Sequence, residues 1–359
     1  MSSSALESLP SALSAYREFA ASEDSALRDR LASRISDSCL IDLIAGEISH
    51  PGKHLRPALT LASFLVFSGG KTPSRECLAA AHALEIFHTF VLIHDDVIDG
   101  SEQRRNRPTL QKRIEAVLGM NEKAAGHLAI VLGDILFGYA IDLLSAPEMN
   151  REWVAPLQQY LATVTEDTGL GEAQELTFLD RPLAEVTLQQ IEEVYYLKTT
   201  RYTIEAPLWL GARAAGMQAP ELEALSDFAR PIGLGFQMEN DLHEASLPLE
   251  EFKRLAYDFQ TGVKTYFLRR FYEDLGKDSR QKLTALLSRC REETSAMNDL
   301  HEMIQSTETL GDLKKEVEKC FSHARDWVPQ APYSEEHRLG LEQIAQFIST
   351  QRKHSEARN

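Results

Sequence analysis

The spacing of its apolar residues constrains this chain most strongly. Across 359 residues, apolar side chains recur at intervals of three and four, and the alternation typical of strands is almost absent. We therefore predict an all-α protein built from many long helices with short connections. The predicted helices span residues 24–49, 55–68, 74–99, 122–145, 152–179, 188–215, 221–244, 263–272, 279–310, 313–324 and 335–353.

The chain shows no sign of division into separate domains. No Ser/Gly linker, internal repeat or low-complexity tract interrupts it. With 43% hydrophobic and 26% charged residues, the chain can bury a large core. We expect one domain over residues 1–359, with a polar N-terminal extension over 1–23 and a polar tail over 354–359.

Charge, hydropathy and cysteine spacing exclude several classes of protein. The net charge is −16 and no long basic stripe offsets it, which argues against a nucleic-acid partner. No apolar run approaches the roughly 20 residues of a membrane span, so we expect no stable membrane insertion. The N-terminus lacks the layout of a signal peptide. The four cysteines lie far apart and form no CxxC pair, so we expect reduced thiols, no zinc site and a cytoplasmic location.

The acidic run over residues 94–105, HDDVIDGSEQRR, indicates chemistry. Asp95, Asp96 and Asp99 close an apolar helix, and Asp95 and Asp99 point the same way because they are four residues apart. Clustered carboxylates attract hard divalent cations, so we expect Mg²⁺ that bridges to a phosphate-bearing substrate. Arg104 and Arg105 are suited to bind a further phosphate. A merely solvated helix end is disfavoured because the cluster ends an apolar segment.

Basic residues occur at two other informative positions. Lys53 and Arg56 flank the start of a predicted helix, where backbone N–H groups also favour an anion. Lys198 and Thr199 lie in a helix that is otherwise apolar. Each signal is weak alone, but together with the acidic run they indicate a site for more than one phosphate group.

A second acidic patch ends another predicted helix. Asn240 and Glu244 are four residues apart, and Asp241 lies beside Asn240. Two such patches that face each other across a helical bundle would form a multi-metal diphosphate site. An ordinary polar helix end before Pro248 explains this patch equally well.

The ordered motifs resemble those of the trans-isoprenyl diphosphate synthases over residues 50–350. The matches are Gly52-Lys53-x-x-Arg56-Pro57, Glu85-x-x-His88, Asp95-Asp96-x-x-Asp99, Arg104-Arg105, Pro108-Thr109, Gly133-Asp134, Lys198-Thr199-x-x-Tyr202-Thr203, Phe236-Gln237 and Gly262-x-Lys264-Thr265. The resemblance implies a helical bundle around a central apolar cavity and a homodimer. It also implies Mg²⁺-dependent condensation of isopentenyl diphosphate with an allylic diphosphate.

The resemblance also assigns roles to individual residues. It implies three Mg²⁺ ions, with Asp95 and Asp99 as ligands and Asp96 in support, and Asn240, Asp241 and Glu244 as the second ligand set. The allylic diphosphate would contact Arg104, Lys198 and Lys264, and isopentenyl diphosphate would contact Lys53, Arg56, His88 and Arg105. Thr199 and Gln237 would stabilise the developing allylic cation, and Phe236 would pack near the isopentenyl group.

Two departures from the family pattern leave alternatives open. Asn240 stands where the second motif begins with Asp, so we expect a weaker third metal site. Glu172 stands where the family has glutamine. One alternative is therefore an irregular coupling enzyme or a cyclase of the same fold, and another is a weakly catalytic regulatory subunit. The intact first acidic motif and the retained Lys53, Arg56 and Arg105 argue against the regulatory subunit, and the retained residues for isopentenyl diphosphate argue against a cyclase.

Product length is predicted from the helix before Asp95. Phe90 and Val91 lie five and four residues before Asp95, on about the same face, and Phe87 lies deeper. In the family that this chain resembles, an aromatic residue at the Phe90 position typifies enzymes that stop at twenty carbons. We therefore predict geranylgeranyl diphosphate as the product, with farnesyl diphosphate next.

Overall fold

A computed structural model describes residues 5–49, 54–104, 107–145, 149–290 and 293–356. The described chain is predominantly helical, which confirms the all-α prediction. In the described part, the α-helices are α1 (Leu9–Ala32), α2 (Ser38–Ile48), α3 (Leu55–Ser68), α4 (Arg75–Ile98), α5 (Leu110–Leu118), α6 (Glu122–Leu143), α7 (Arg151–Phe178), α8 (Leu188–Val194), α9 (Ala206–Ala214), α10 (Ala219–Glu223), α11 (Leu225–Ala245), α12 (Leu249–Leu255), α13 (Tyr257–Thr261), α14 (Tyr266–Asp274), α15 (Lys277–Leu287), α16 (Thr294–Gln305), α17 (Thr309–Trp327) and α18 (Glu335–Glu356).

The helices differ from the sequence prediction at both ends of the chain. α1 begins at Leu9, inside the segment expected to be a polar extension, because Leu9 and Tyr16 are buried on one face of it. The predicted helix over 24–49 is two helices, and α2 starts where Asp37 accepts hydrogen bonds from the backbone N–H groups of Cys39 and Leu40. α18 continues to Glu356, into the segment expected to be a tail.

Two further differences lie near the predicted chemical motifs. The predicted helix over 188–215 is interrupted by a π-helix at Tyr195–Glu205, a wider helical form that is often found at functional sites. A two-residue antiparallel ladder joins β1 (Gln103–Arg104) to β2 (Arg107–Pro108), directly after the acidic run. Neither feature follows from apolar spacing, since each strand has only two residues and the apolar residues of the π-helix also fit the period of an α-helix.

The chain forms two compact units. Unit 1 comprises Met1–Ala162 and Ala206–Leu222, and unit 2 comprises Thr163–Glu205 and Glu223–Asn359. The expectation of one domain for the whole chain stays a prediction.

Unit 1 is organised around α3 and α4. α3 packs against α4 and α9, and α4 packs against α6. All residues of α3 from Arg56 to Phe67 are buried. Gly211 of α9 lies so close to the Thr60 carbonyl that a β-carbon at Gly211 would clash with it. This close packing holds α4, and the acidic run at its end, in a fixed position.

Unit 2 is organised around α11. This helix packs against α17 and against the π-helix. Gly233 of α11 lies against the Thr200 side chain with no room for a β-carbon, and a β-carbon at Gly235 would lie 2.9 Å from the Phe321 ring. Two glycines therefore allow α11 to approach both neighbours closely. The second acidic patch lies at the C-terminal end of this helix.

Two helices of the described residues, α4 and α6, are long and apolar enough to cross a membrane by length and composition alone. The most apolar window of α4 is 61% buried within the fold, as expected for a core helix, and core helices pass the same test. This is weak evidence for a membrane span. The expectation of no membrane insertion stays a prediction.

Candidate active site

The first acidic group (Asp95, Asp96 and Asp99) lies at the end of α4. The helix begins at Ser74, whose side chain accepts a hydrogen bond from the backbone N–H of Cys77, and most of its central residues are buried. Asp96 is buried, and Asp95 and Asp99 are partly exposed. Burial of the apolar part of α4 therefore determines where the three carboxylates are placed.

Arg104 joins two carboxylates of this group. Its Nη2 donates to Asp95 Oδ2 and its Nε donates to Asp96 Oδ1, both at 2.6 Å. Burial raises the pKa of Asp96 to about 6, while Arg104 pulls it downward. Charge-assisted hydrogen bonds thus hold Arg104 against two of the three carboxylates.

Gln111 stabilises the loop that carries Arg104. Its side-chain amide donates to the carbonyl of Asp96 at 2.9 Å and to the carbonyl of Ser101 at 2.8 Å. Thr109 Oγ1 donates to the same Ser101 carbonyl at 2.8 Å. The sequence analysis missed Gln111, because a single glutamine after the arginines carries no pattern of its own.

The residues assigned to isopentenyl diphosphate are only partly described. Arg56 on α3 and His88 on α4 are both buried. His54, which precedes α3, adopts a left-handed conformation with φ of 46°, and its Nδ1 lies 3.4 Å from Glu85 Oε1. Glu85 is on α4, one turn before His88, so this contact ties the start of α3 to α4. Two further assigned residues lie outside the described residues: Lys53 and Arg105.

The aromatic residues before the first acidic group form a cluster. The Phe90 ring stacks on the Phe137 ring of α6 at a centroid distance of 5.0 Å and lies 5.8 Å from the ring of Phe87. The His94 ring lies 4.5 Å from the Phe90 ring. Phe87 is fully buried and Val91 is partly buried. The sequence analysis missed Phe137, which lies far away in sequence.

In unit 2, Lys198 lies between two carboxylates. Its Nζ is 2.6 Å from Glu172 Oε2 and 2.5 Å from Glu175 Oε2. A β-carbon at Gly171 would lie 2.5 Å from the Lys198 backbone nitrogen, so only glycine allows α7 and the π-helix to approach so closely. The neighbouring Thr199 is partly buried on the same π-helix.

The second acidic group (Asn240, Asp241 and Glu244) has three different environments. Asn240 is exposed, and its Nδ2 donates to Gln237 Oε1 at 2.8 Å. Asp241 is buried, and its Oδ2 accepts from the Tyr195 hydroxyl at 2.7 Å. Burial raises the pKa of Asp241 to about 7. Tyr195 is another residue that the sequence analysis missed.

Glu244 and Lys264 are held by backbone groups. Glu244 Oε1 accepts from the backbone N–H of Asp258 at 2.8 Å, and burial raises the pKa of Glu244 to about 9. Lys264 Nζ donates to the carbonyls of Gly262 at 2.6 Å and Leu179 at 3.0 Å. Burial lowers the pKa of Lys264. Phe236, beside Gln237 on α11, is partly buried.

The first acidic group fits Mg²⁺ better than the second one does. Mg²⁺ prefers hard oxygen ligands and often binds through one or two carboxylates with water and substrate phosphates. Asp95 and Asp99 supply partly exposed carboxylates, whereas Asp241 is buried and engaged by hydrogen bonds. In the described part of the chain, no three His, Cys, Asp or Glu side chains form a metal-binding group by themselves. A metal bound here would therefore need oxygens from its substrate or from water.

One family model, several relatives and several solved structures match this chain. A model of the polyprenyl synthetase family matches residues 38–305. The chain is 28% identical to the short chain isoprenyl diphosphate synthase of Methanothermobacter thermautotrophicus over 92% of this chain and 96% of that protein. It is 30% identical to large subunit 1 of the heterodimeric geranylgeranyl pyrophosphate synthase of Arabidopsis thaliana, over 72% of this chain and 69% of that protein.

Solved structures show the same fold. The geranylgeranyl pyrophosphate synthase of Corynebacterium glutamicum, solved with isoprenyl diphosphate and magnesium, aligns with a TM-score of 0.78 and 22% identity. The alignment covers 92% of this chain and 97% of that chain. At this identity the likeness extends to the fold.

Proposed function

Because the chain belongs to the polyprenyl synthetase family and is a trans-prenyltransferase, we propose that it condenses isopentenyl diphosphate with an allylic diphosphate to form geranylgeranyl diphosphate. The observation that carries this proposal is the arrangement on α4. The helix ends in Asp95 and Asp96, both bonded to Arg104, and the aromatic ring of Phe90 lies five residues earlier. The same helix thus carries groups suited to the charged diphosphate of a prenyl substrate and an aromatic ring suited to limit the length of its apolar chain.

The head of the allylic substrate is a diphosphate, and the first acidic group suits its Mg²⁺ complex. We assign Asp95 and Asp99 as metal ligands and Asp96 as their support, with three Mg²⁺ ions per site. Bound Mg²⁺ would neutralise the leaving diphosphate and so ease ionisation of the allylic carbon. Arg104, held at 2.6 Å from both Asp95 and Asp96, is placed to donate hydrogen bonds to the same diphosphate.

The remaining residues have roles in binding and in cation stabilisation. Isopentenyl diphosphate is assigned to Lys53, Arg56, His88 and Arg105. Lys198 and Lys264 are also assigned to binding of the allylic diphosphate. Thr199 and Gln237 are assigned to stabilisation of the developing cation. Phe236 is assigned to contact with the isopentenyl group. The second acidic group (Asn240, Asp241 and Glu244) is assigned to the third metal ion, with Asp241 supporting the site without binding the metal directly. After the new bond forms, loss of a proton from the coupled cation completes the product.

The Phe90–Phe137 pair supports a short product. At 1.5 Å per residue, five residues place Phe90 about 7.5 Å from Asp95 along the helix axis. The stacked Phe137 ring from α6 keeps Phe90 from turning aside, and the buried Phe87 lies beneath both. A growing chain that passes Val91 would meet this aromatic cluster. We therefore assign the floor to Phe90, with Val91 and Phe87 as neighbouring wall residues.

A second copy of the chain is the proposed protein partner. Val131, Ile135 and Ile141 project from one side of α6 and expose 53%, 38% and 38% of their surface. An apolar face of this kind is typical of an interface between subunits. We therefore assign a homodimer formed through α6. We also propose a cytoplasmic location, as expected from the wide spacing of the four cysteines in the sequence.

Product analysis tests the proposed function. Purified protein is incubated with Mg²⁺, isopentenyl diphosphate and each of dimethylallyl, geranyl and farnesyl diphosphate, and products are identified by mass spectrometry. We expect linear geranylgeranyl diphosphate from every starter. Asp95→Ala should abolish it, and Asp278→Ala, which removes an exposed carboxylate of α15, should not.

Asn240 favours a second candidate function. An asparagine at the head of the second acidic group supplies no charge, and here it bonds to Gln237, which is assigned to the developing cation. An irregular coupling or a cyclisation on the same fold would fit this change. A hydrocarbon or branched product would support that function. If turnover required an added protein, the chain would instead be a regulatory subunit.

A further inference from the structure

We propose that Tyr195 and Asp241 together hold the start of α14 and thereby position Lys264 for a substrate diphosphate. Asp241 is then a positioning residue and not a ligand of the third metal ion. The inference rests on the proposed function only for the identity of the diphosphate. The contacts that carry it all lie within unit 2.

One hydrogen bond joins Tyr195 to Asp241, and two more link this pair to the start of α14. The Tyr195 hydroxyl donates to Asp241 Oδ2 at 2.7 Å and accepts from the backbone N–H of Tyr266 at 2.9 Å. The backbone N–H of Phe267 donates to the same Asp241 Oδ2 at 3.1 Å. The first N–H groups of a helix have no partner within the helix, so Tyr195 and Asp241 satisfy two of them from outside.

Because both residues are buried, loss of these hydrogen bonds would be strongly unfavourable in free energy. Tyr195 is 5% exposed and Asp241 is 6% exposed, so an unpaired group here would have no water to replace its partner. Mg²⁺ normally keeps several water ligands, which a buried oxygen engaged by two donors does not favour. The geometry thus suits a structural acceptor.

Lys264 lies in the short segment that precedes α14. Gly262 has φ of 83°, and Thr265 caps α14 by accepting from the backbone N–H of Leu268 at 3.1 Å. Only one residue separates Lys264 from Tyr266, whose N–H is held by Tyr195. Release of the helix start would therefore release the backbone of Lys264 as well.

The same contact connects three motifs that are separate in sequence. Tyr195 begins the π-helix that contains Lys198, Asp241 belongs to α11, and Lys264 precedes α14. The π-helix and α11 approach closely because Gly233 leaves room for the Thr200 side chain. Tyr195 is thus placed to connect the π-helix, α11 and α14.

Removal of one hydroxyl tests the inference directly. Tyr195→Phe deletes both hydroxyl bonds and keeps the ring, so the KM for the allylic diphosphate should rise about tenfold while the half-saturating Mg²⁺ concentration stays unchanged. The matched control is Tyr139→Phe. It removes a buried hydroxyl that donates to the Glu23 carbonyl at 2.7 Å in unit 1, and its KM should equal that of the wild type.

A double-mutant cycle tests whether Tyr195 acts through Lys264. If it does, Tyr195→Phe combined with Lys264→Ala should have the KM of Lys264→Ala alone. Additive effects would overturn the inference. Asp241→Asn keeps an oxygen acceptor and should leave the half-saturating Mg²⁺ concentration unchanged, whereas a metal ligand would show a rise of about tenfold.

Two measurements that need no turnover separate this inference from the proposed function. Hydrogen exchange should show protected amides at Tyr266 and Phe267 in the wild type and lost protection at Tyr266 in Tyr195→Phe. Calorimetry with inorganic diphosphate should show weaker binding by Tyr195→Phe, as by Lys264→Ala.

If the wild type binds diphosphate but forms no prenyl product, the proposed function is wrong and the inference stands. Unchanged exchange and binding in Tyr195→Phe would overturn the inference whatever the activity.

Discussion

The Arg104 guanidinium donates to Asp95 Oδ2 at 2.6 Å, so one basic side chain occupies an oxygen that a Mg²⁺ ligand must offer. Its second bond, to Asp96 Oδ1, has the same length. If Asp95 binds Mg²⁺ as proposed, arginine and metal would compete for the same carboxylates. A bound diphosphate would end this competition, because it would offer Arg104 a new acceptor and Mg²⁺ further oxygens.

Arg104→Gln should have opposite effects on the binding of Mg²⁺ and on the binding of the allylic diphosphate. Without the competing cation, Mg²⁺ alone should bind more tightly, and the KM for the allylic diphosphate should rise by about tenfold because a charged contact is lost. Calorimetry and steady-state kinetics measure the two quantities. Arg289→Gln, which removes an exposed arginine paired with Glu293 in unit 2, should change neither. Unchanged Mg²⁺ binding in Arg104→Gln would contradict the competition.

Phe90→Ala should lengthen the product beyond twenty carbons, because it removes the ring that meets the growing chain. Phe137→Ala should lengthen it to a smaller extent, since Phe90 would lose the ring on which it stacks. Mass spectrometry of the products gives the result. Phe19→Ala removes an aromatic ring of α1 and serves as the control. An unchanged product distribution in Phe90→Ala would remove Phe90 as the floor.

Gly171→Ala should destabilise the fold and reduce turnover. Its β-carbon would lie 2.5 Å from the Lys198 backbone nitrogen, and overpacking of this kind costs about 1–3 kcal/mol in the free energy of unfolding. Gly169→Ala, two residues earlier on α7, has open space and should stabilise the protein by about 1 kcal/mol through helix propensity. Thermal and urea unfolding of both variants measure the difference. Equal stability would refute the close approach of α7 to the π-helix.

Asn240→Asp should lower the half-saturating Mg²⁺ concentration several-fold or raise turnover. The added carboxylate is exposed on α11, where it gives the second acidic group the charge that asparagine lacks. Turnover measured against Mg²⁺ concentration gives the answer, with Asn240→Ala as the control that adds no charge. A loss of activity in Asn240→Asp would instead indicate that the asparagine serves a specialised reaction.

Val131→Glu should dissociate the proposed homodimer. It places a charge among the exposed apolar side chains of α6, where burial by a partner subunit would remove water from that charge. Light scattering coupled to gel filtration should give the monomer mass. Leu339→Glu is a matched control, because Leu339 on α18 is also 53% exposed. A wild-type protein that is itself monomeric would contradict the assignment.

The sequence predicted the parts of the site that depend on local pattern. Asp95 and Asp99 were expected to share a helix face because residues four apart do so, and the apolar segment before them indicated a buried helix. Burial of α4 agrees with the prediction of a buried helix, while the roles of Asp95 and Asp99 stay a prediction. The all-α class followed from the same apolar spacing.

Other features depend on contacts between distant segments and left no local signal. Tyr195 and Asp241 are far apart in sequence, and Phe137 meets Phe90 only because α6 packs on α4. The π-helix was predicted as an ordinary helix, since its apolar residues fit both periods over a few turns. The helical start of α1 was missed because Leu9 and Tyr16 are widely spaced in a polar segment.

The most direct test counts the units added to a single starter. Wild-type protein is incubated with Mg²⁺, farnesyl diphosphate and carbon-13-labelled isopentenyl diphosphate, and the labelled units in each product are counted by mass spectrometry. One labelled unit per product, in linear geranylgeranyl diphosphate, is the predicted result. No labelled product, or a series that continues through many units, would contradict the proposed reaction or its length.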